Sequence, residues 1–287
     1  QSRGITLMIS LMAVIKSGGS YLPLDPSWPL QRLQQVLDDA KTALLLCDQA
    51  AMNTWPDLAD RVHVLVSCEG PLWQDNNADD LSVYRWDDAV LYRIYTSGST
   101  GLPKAAGVTH ASFNNLLAWF IAEFERQSGD SCLVFSSPAF DLTQKNLFAP
   151  LLLGGTVHLA PPLYDPTQLA QTIGEHHIRW INGTPSSIQP ILACHQRHVL
   201  GSLKHVFFGG ESLLPVHCQQ LPAGTEVVNT YGPTECTDVV TFERLCAADL
   251  HAQQAFSIGL PIANVHCYVL NAQAHPVPVG VAGELCI

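Results

Sequence analysis

The chain carries few charges and does not group them. Charged residues fill 14% of its 287 positions, with 14 Lys and Arg against 25 Asp and Glu and a formal net charge of -11. No Lys/Arg cluster occurs, which argues against nucleic acid or an anionic membrane as a partner. Disulfide and zinc patterns are missing too. The nine cysteines are an odd number and none forms a CxxC pair. Most sit in apolar runs, where cysteine behaves as a small core residue, so a reducing, cytoplasmic setting is expected. The twelve histidines lack ligand spacing, His176-His177 and His195/His198 coming nearest to a cluster. No apolar run is long enough to span a bilayer. Residues 5–15 follow Arg3 like a signal-peptide core, but at about eleven residues the run is too short, Lys16 interrupts it, and no small-residue cleavage site follows. A buried helix is expected there. The chain begins at Gln1 rather than Met, which suggests a fragment whose N-terminus lies upstream. No internal repeat, low-complexity tract or linker interrupts it.

What remains is a globular composition, 47% hydrophobic, with enough chain for a large core. Leu7, Leu11, Val14 and Ile15 have helical spacing, and Gly18-Gly19 stops that helix. Leu30, Leu33, Val36, Leu37 and Ala40 define a second. Residues 43–47 and 62–66 are continuous apolar runs, which suit strands buried on both faces of a parallel sheet. A polar stretch at 71–88 reads as a surface loop. Strands are expected at 90–94, 132–135, 157–160, 179–181, 206–208 and 227–229. Helices are expected at 111–126, 142–153, 166–177 and 185–194. Repeated strand–helix units imply parallel sheets with helices on both faces. The last forty or so residues change character: 265–270 and 283–287 read as strands without helices between them, like a small β-subdomain. The expected organisation is a layered α/β unit over about 1–255 and the start of a β-subdomain over about 256–287.

The stretch richest in chemistry is Tyr95-Thr-Ser-Gly-Ser-Thr-Gly-Leu-Pro-Lys104. It offers two glycines, four Ser/Thr hydroxyls and a lysine, placed by this reading between a strand and a helix. Such a loop presents N–H groups, hydroxyls and a cation to an anion, most often phosphate. Its Gly-x-x-Gly-x-x-Lys spacing is not a Walker A loop. Three other clusters stand out. Phe140-Asp141 precedes a helix, where the aspartate is either an N-cap or a partner for a substrate ammonium group. Phe208-Gly-Gly-Glu-Ser212 is a glycine-paired turn after a strand. Asn229-Thr-Tyr-Gly-Pro-Thr-Glu235 packs an aromatic, a Gly-Pro turn, a hydroxyl and a carboxylate into seven residues. There Tyr231 can stack on a base, Thr234 can bond a phosphate and Glu235 can hold Mg²⁺, a cation that prefers oxygen ligands. The alternative is an ordinary turn with Thr and Glu as caps.

Taken in order, these stretches resemble the adenylate-forming superfamily, and within it the amino-acid adenylation domains of nonribosomal peptide synthetases. Lys16-Ser-Gly-Gly-Ser-Tyr-Leu-Pro-Leu-Asp-Pro26 is similar to the family's early motif, 95–104 to its phosphate loop, and Phe140-Asp-Leu-Thr143 to its substrate-amine motif. Residues 229–235 resemble its nucleotide and magnesium motif, and Gly283-Glu-Leu-Cys-Ile287 the opening of the next. The resemblance implies the large N-terminal subdomain of such an enzyme, α/β with parallel sheets flanked by helices. It implies ATP-dependent condensation with a carboxylate to an acyl-adenylate and pyrophosphate. Transfer follows to the phosphopantetheine thiol of a peptidyl carrier domain, beside condensation domains of one synthetase. It also implies roles. Thr96, Ser97, Gly98, Ser99, Thr100, Gly101 and Lys104 handle the triphosphate; Thr234 contacts the α-phosphate and Glu235 holds Mg²⁺. Thr96, Lys104, Thr234 and Glu235 form the catalytic set. Gly210, Glu211, Asn229, Thr230, Tyr231 and Gly232 frame the nucleotide. Asp141 takes the substrate ammonium. The implied side-chain pocket is Asp141, Leu142, Lys145, Asn182, Phe207, Gly209, Thr230, Asp238 and Val239. Burying Lys145, Asn182, Thr230 and Asp238 needs partners, so a polar amino acid is expected, unless Lys145 and Asp238 pair with each other and leave a smaller pocket.

The sequence departs from the family in places. Ala105-Ala106 follows Lys104 where glycine is usual, Arg93 lies in a run usually apolar, and Leu260 stands where a basic residue is common. The chain stops before the family's ribose-binding aspartate, hinge and small C-terminal subdomain, so a fragment with little activity of its own is expected. Two alternatives stay open: an acyl- or aryl-CoA ligase of the same superfamily, and a non-catalytic scaffold remnant.

Overall fold

A computed structural model describes residues 1–62, 64–67, 79, 81, 83, 86–97, 103–125, 128–194, 198–245 and 256–287. In chain order the elements are α1 (Ile5–Lys16), α2 (Leu30–Ala40), β1 (Leu44–Cys47), α3 (Gln49–Thr54), β2 (Val64–Ser67), β3 (Val90–Ser97), β4 (Pro103–Thr109), α4 (His110–Glu123), β5 (Ser131–Val134), α5 (Asp141–Leu152), β6 (Thr156–Leu159), α6 (Pro166–Glu175), β7 (Trp180–Gly183), α7 (Pro185–Cys194), β8 (His205–Phe208), β9 (Glu226–Tyr231), β10 (Thr241–Leu245), β11 (Leu260–Pro261), β12 (Tyr268–Leu270) and β13 (Glu284–Cys286). Short 3-10 turns lie at Pro56–Arg61, Pro215–Cys218 and Thr234–Cys236.

Seven strands form the main sheet in the order β11-β10-β9-β8-β7-β5-β6. From β9 to β6 all neighbours are parallel. β10 turns antiparallel to β9, and β11 to β10. The period of two along each strand sorts the core. Cys132 and Val134 of β5, Trp180 of β7, Phe207 of β8 and Val228 of β9 pack with Phe120 and Phe124 of the α4 layer and Leu147 of α5. Their neighbours Leu133, Ile181, Val206, Phe208 and Val227 pack on the other face with Leu169, Ala170 and Ile173 of α6 and Ile188 and Ile191 of α7. Two buried clusters on opposite faces are what a doubly wound sheet requires. Asp165 accepts from Thr167 and Gln168 backbone N–H groups and starts α6, and Thr109 accepts from Ser112 and starts α4.

The winding reverses at β5. The chain runs from β5 through α5 to β6 on one side, then through α6 to β7 on the other. The crevice outside the carboxyl ends of β5 and β7 is the usual place for a ligand in such sheets. Asp141, just after β5, and Asn182, near the end of β7, stand at that crevice.

Three expectations need correction. β3 and β4 are an antiparallel hairpin, with Thr96 opposite Lys104 and Ser97 opposite Pro103. The loop expected between a strand and a helix therefore joins two strands, and α4 begins only after β4. The period-two signal of 103–109 was hidden by Pro103, Ala105, Ala106 and Gly107, which are poor strand formers. Second, β1 and β2 pair in parallel, but as an isolated two-stranded sheet with Leu44 exposed, not as central strands. Third, α1 is only half covered: Leu11 is buried, whereas Ile5, Ile9 and Met12 face outward. Residues 98–102, most of the 71–88 stretch and His195 lie outside the described residues. β12 and β13 pair antiparallel as their own two-stranded sheet. Among the described residues, Cys194, Cys218, Cys236, Cys267 and Cys286 are free thiols. No helix among the described residues is long and apolar enough to cross a membrane.

Candidate functional site

The first two turns of α5 bury four successive polar residues, Thr143, Gln144, Lys145 and Asn146. A helix does this only where facing elements supply partners. Lys145, 1% exposed, places its Nζ 2.5 Å from Oδ2 of Asp238, 8% exposed. The two expected pocket charges thus neutralise each other. Burial pushes the Asp238 carboxyl up, and the Lys145 ammonium pulls against that shift. Asp238 gets there through a tight reversal. Thr237 and Asp238 both take left-handed backbone conformations, φ 67° and 65°. A β-branched residue rarely adopts that region, so the turn is strained. The reversal folds back on the end of β9, where Val240 N donates to Tyr231 O at 2.8 Å. A Cβ at Gly232 would lie 2.2 Å from Asp238 O and 2.8 Å from Val240 N. Only glycine fits there.

Asn182 donates to Leu142 O and to Asn146 Oδ1, each at 3.3 Å. Its own Oδ1 is buried and meets no donor among the described residues. Thr230 Oγ1 donates to Phe208 O at 2.9 Å, and a Cβ at Gly209 would meet that hydroxyl at 2.7 Å. Thr230 therefore holds adjacent strand ends rather than offering a free hydroxyl. Phe207 is fully buried between Phe120, Phe124 and Trp180. Val239 is buried beside Asp238. Asp141 is half-buried and opens α5. It is the first helical residue, not the N-cap, which is Phe140. Its Oδ1 accepts from Leu142 N at 2.7 Å.

The residues expected to meet a nucleotide are more open. Lys104 is exposed on β4 and Thr96 sits across from it, with Thr96 Oγ1 donating to Lys104 O at 3.4 Å. Tyr95 is anchored to α2 by a 2.6 Å bond to Asp39, and burial pushes the pKa of its hydroxyl up. The turn Thr234–Cys236 packs against β4. This contact brings Thr234 and the exposed Glu235 to the hairpin that carries Thr96 and Lys104, across about 130 residues of chain. Tyr231 lies exposed at the end of β9, while the Asn229 side chain donates to Ser257 O at 2.7 Å. Glu211 is spent locally: its oxygens accept from Ser186 Oγ at 2.6 Å and Ser186 N at 3.0 Å, at the start of α7. Those bonds hold its carboxyl below the usual range, the Ser186 hydroxyl foremost. Its side chain is a helix cap, leaving only backbone near Gly210 for a nucleotide.

Sequence reading missed Tyr92 and Asn146. Tyr92 is fully buried in β3, and its hydroxyl has no partner among the described residues. Burial pushes its pKa up, and Asp238 and Asp141 add to the shift, so it lies within their field. Asn146 carries a signal that was available: an amide inside the apolar period of α5. Among the described residues no group of three or more His, Cys, Asp or Glu side chains could hold a metal.

The model of a family described as AMP-binding enzyme matches residues 2–287. Gramicidin S synthase 2 of Aneurinibacillus migulanus is 34% identical over 296 residues, covering 99% of this chain and 6% of the relative. Tyrocidine synthase 3 of Brevibacillus parabrevis is 34% identical over 297 residues, covering 100% of this chain and 4% of the relative. This chain therefore spans only a small part of the curated relatives it matches. Among solved structures, the nonribosomal peptide synthetase FmoA3 (S1046A) superposes with a TM-score of 0.88 at 23% identity, covering 99% of this chain and 30% of that one. The N-terminal subdomain of Klebsiella oxytoca NpsA, solved with 3-hydroxyanthranilyl-AMSN, gives 0.83 at 23% identity, covering 99% and 71%.

Proposed function

Because the chain belongs to the AMP-binding enzyme family, we propose that it activates an amino acid with ATP as the aminoacyl-adenylate. The product would pass to the phosphopantetheine thiol of a carrier domain, alongside condensation domains of a longer synthetase. Its likeness to two peptide synthetases over nearly its whole length supports this setting. The observation that carries the reading is the packing of the Thr234–Cys236 turn on β4; that turn follows β9 as Asp141 follows β5, so both lie beyond the carboxyl ends of one parallel set of strands.

In the reaction, a carboxylate oxygen attacks the α-phosphorus and pyrophosphate leaves. Both reactants are anionic, so the protein must position them and offset charge. Lys104 supplies a cation to the departing phosphates, with Thr96, Ser97 and the loop residues Gly98, Ser99, Thr100 and Gly101 as donors. Thr234 donates to the α-phosphate. Tyr231, beside Gly232, stacks on the adenine, with Asn229, Thr230 and Gly210 shaping its slot. Glu235 fits Mg²⁺: it is a lone exposed carboxylate, and this cation keeps few protein ligands when phosphates supply the rest. The ion would offset phosphate charge. Asp141 pairs with the α-ammonium.

The side-chain pocket reads as neutral and polar. Lys145 and Asp238 cancel, and the unpaired Asn182 Oδ1 invites a hydrogen-bond donor from the substrate. The test is amino-acid-dependent ATP–pyrophosphate exchange by the chain within its complete synthetase. An uncharged, hydrogen-bonding amino acid should be the best substrate, and Asp141→Ala should abolish preference for it over the same acid without its amine. Equal exchange with carboxylic acids lacking the amine would indicate a CoA-ligase-like enzyme. No exchange with any acid would indicate a scaffold.

A further inference from the structure

The stretch Lys16 to Pro26 has a role that the nucleotide and amino-acid contacts leave unexplained. Its centre, Tyr21, is buried and runs beside β3 as a one-residue parallel bridge. Tyr21 N donates to Leu91 O at 3.1 Å, and Arg93 N donates to Tyr21 O at 3.0 Å. The Tyr21 hydroxyl then leaves β3 and donates to Gln144 Oε1 at 2.6 Å, 123 positions away. Gln144, fully buried in α5, donates through Nε2 to Pro138 O at 2.5 Å. Pro138 lies in the turn 136–140, which joins β5 to Asp141. The same turn is held by Thr143, whose Oγ1 donates to Ser137 O at 2.8 Å, and by Asp25, which accepts from the Ser137 hydroxyl.

A buried glutamine with both ends of its amide engaged costs more to bury than an apolar side chain of similar size. Such networks are kept where they specify one geometry. What this one specifies is the relation between two parts of the site. One end is β3, three residues before Thr96. The other is the turn that presents Asp141. We infer that Tyr21 and Gln144 are positioning residues: the Tyr21–Gln144–Pro138 relay sets Asp141 relative to the phosphate hairpin. This inference rests on the reading of Asp141 as the ammonium site. In a reaction whose catalysis is placement, a shift of under an ångström in the ammonium anchor weakens the amino acid and leaves the nucleotide untouched.

The test uses Tyr21→Phe, which removes one hydroxyl, and Gln144→Met, which removes the centre of the relay, each in the complete synthetase. Three affinities are measured: the amino-acid KM, the ATP KM, and the inhibition constant of the same acid without its α-amine. Tyr21→Phe should raise the amino-acid KM about tenfold, with the ATP KM and the desamino acid changed by less than about twofold. The double variant should be no worse than Gln144→Met alone, since both cut one chain of bonds. Equal weakening of amino acid and desamino acid, no weakening of either, or multiplying effects in the double variant would each overturn the relay. Should Gln144→Met fail to fold, the Tyr21→Phe comparison decides alone. Asp141→Ala separates the premise from the inference. If it leaves the preference for the amine intact, the ammonium reading fails. If it removes that preference while Tyr21→Phe has no effect, only the relay fails.

Discussion

Lys145 and Asp238 allow a stability argument that can be carried to numbers. They meet at 2.5 Å, with 1% and 8% of their side chains exposed. Removing one member strands the other away from water, at a cost of about 3–5 kcal/mol. For a chain of this length that is a fall in melting temperature of about 6–10 °C. The two single changes should differ in pH dependence. In Lys145→Met the stranded Asp238 carboxyl, already pushed up to about 6 by burial, rises further. A carboxyl with a folded pKa above its unfolded value favours folding at low pH and costs stability as pH rises between the two. Each unit of that interval is worth about 1.4 kcal/mol, so this variant should lose more against wild type at pH 8 than at pH 5. In Asp238→Asn no buried carboxyl is left to titrate at that position, so its deficit against wild type should not grow between pH 5 and pH 8. Asparagine tolerates the left-handed backbone at 238, φ 65°, so the substitution adds little strain. The double variant, with neither charge, should return to within about 1 kcal/mol of wild type or exceed it. Thermal melts of the four proteins at pH 5, 6.5 and 8 give the whole cycle. Parallel pH slopes for the two singles, or a double variant below both, would refute the reasoning.

Two further outcomes follow from local geometry. Gly232→Ala should cost about 3 kcal/mol, because its Cβ would meet backbone atoms of Asp238 and Val240 that cannot move without undoing the turn. Gly224→Ala, at φ 81° in open space, should cost only about 1 kcal/mol, and equal melting shifts would contradict this. Glu211→Gln should lower the melting temperature at neutral pH. A carboxyl held below its ordinary 4.5 contributes stability above that value and loses it as pH falls through the folded one, so the difference should close in acid. A gap that persists at low pH would mean the charge is not what caps α7.

Much of the site was legible locally. The helix α5 starts at Asp141, within a residue of its expected start, the strands of the main sheet appear near their apolar runs, and Tyr231 ends β9 with Thr234 and Glu235 in the turn after it. The errors share one origin. The 95–104 loop was placed before a helix because Pro103, Ala105, Ala106 and Gly107 do not look like a strand. Pairing with β3 makes them one, and pairing is a long-range decision. Glu211 looked free for a ligand because nothing in its neighbourhood announces Ser186, 25 positions back.

By itself the sequence determined the layered α/β order and the residue types available for phosphate, magnesium and ammonium, because periodicity and motif spacing act within a few residues. Only the tertiary structure decided which of those groups are already used. It closed Lys145 on Asp238 across 93 positions and left Asn182 Oδ1 without a donor among the described residues. It also tied Tyr21 to the turn before Asp141. Burial makes each of these pairings matter, since a polar group away from water takes the partner that the fold brings to it.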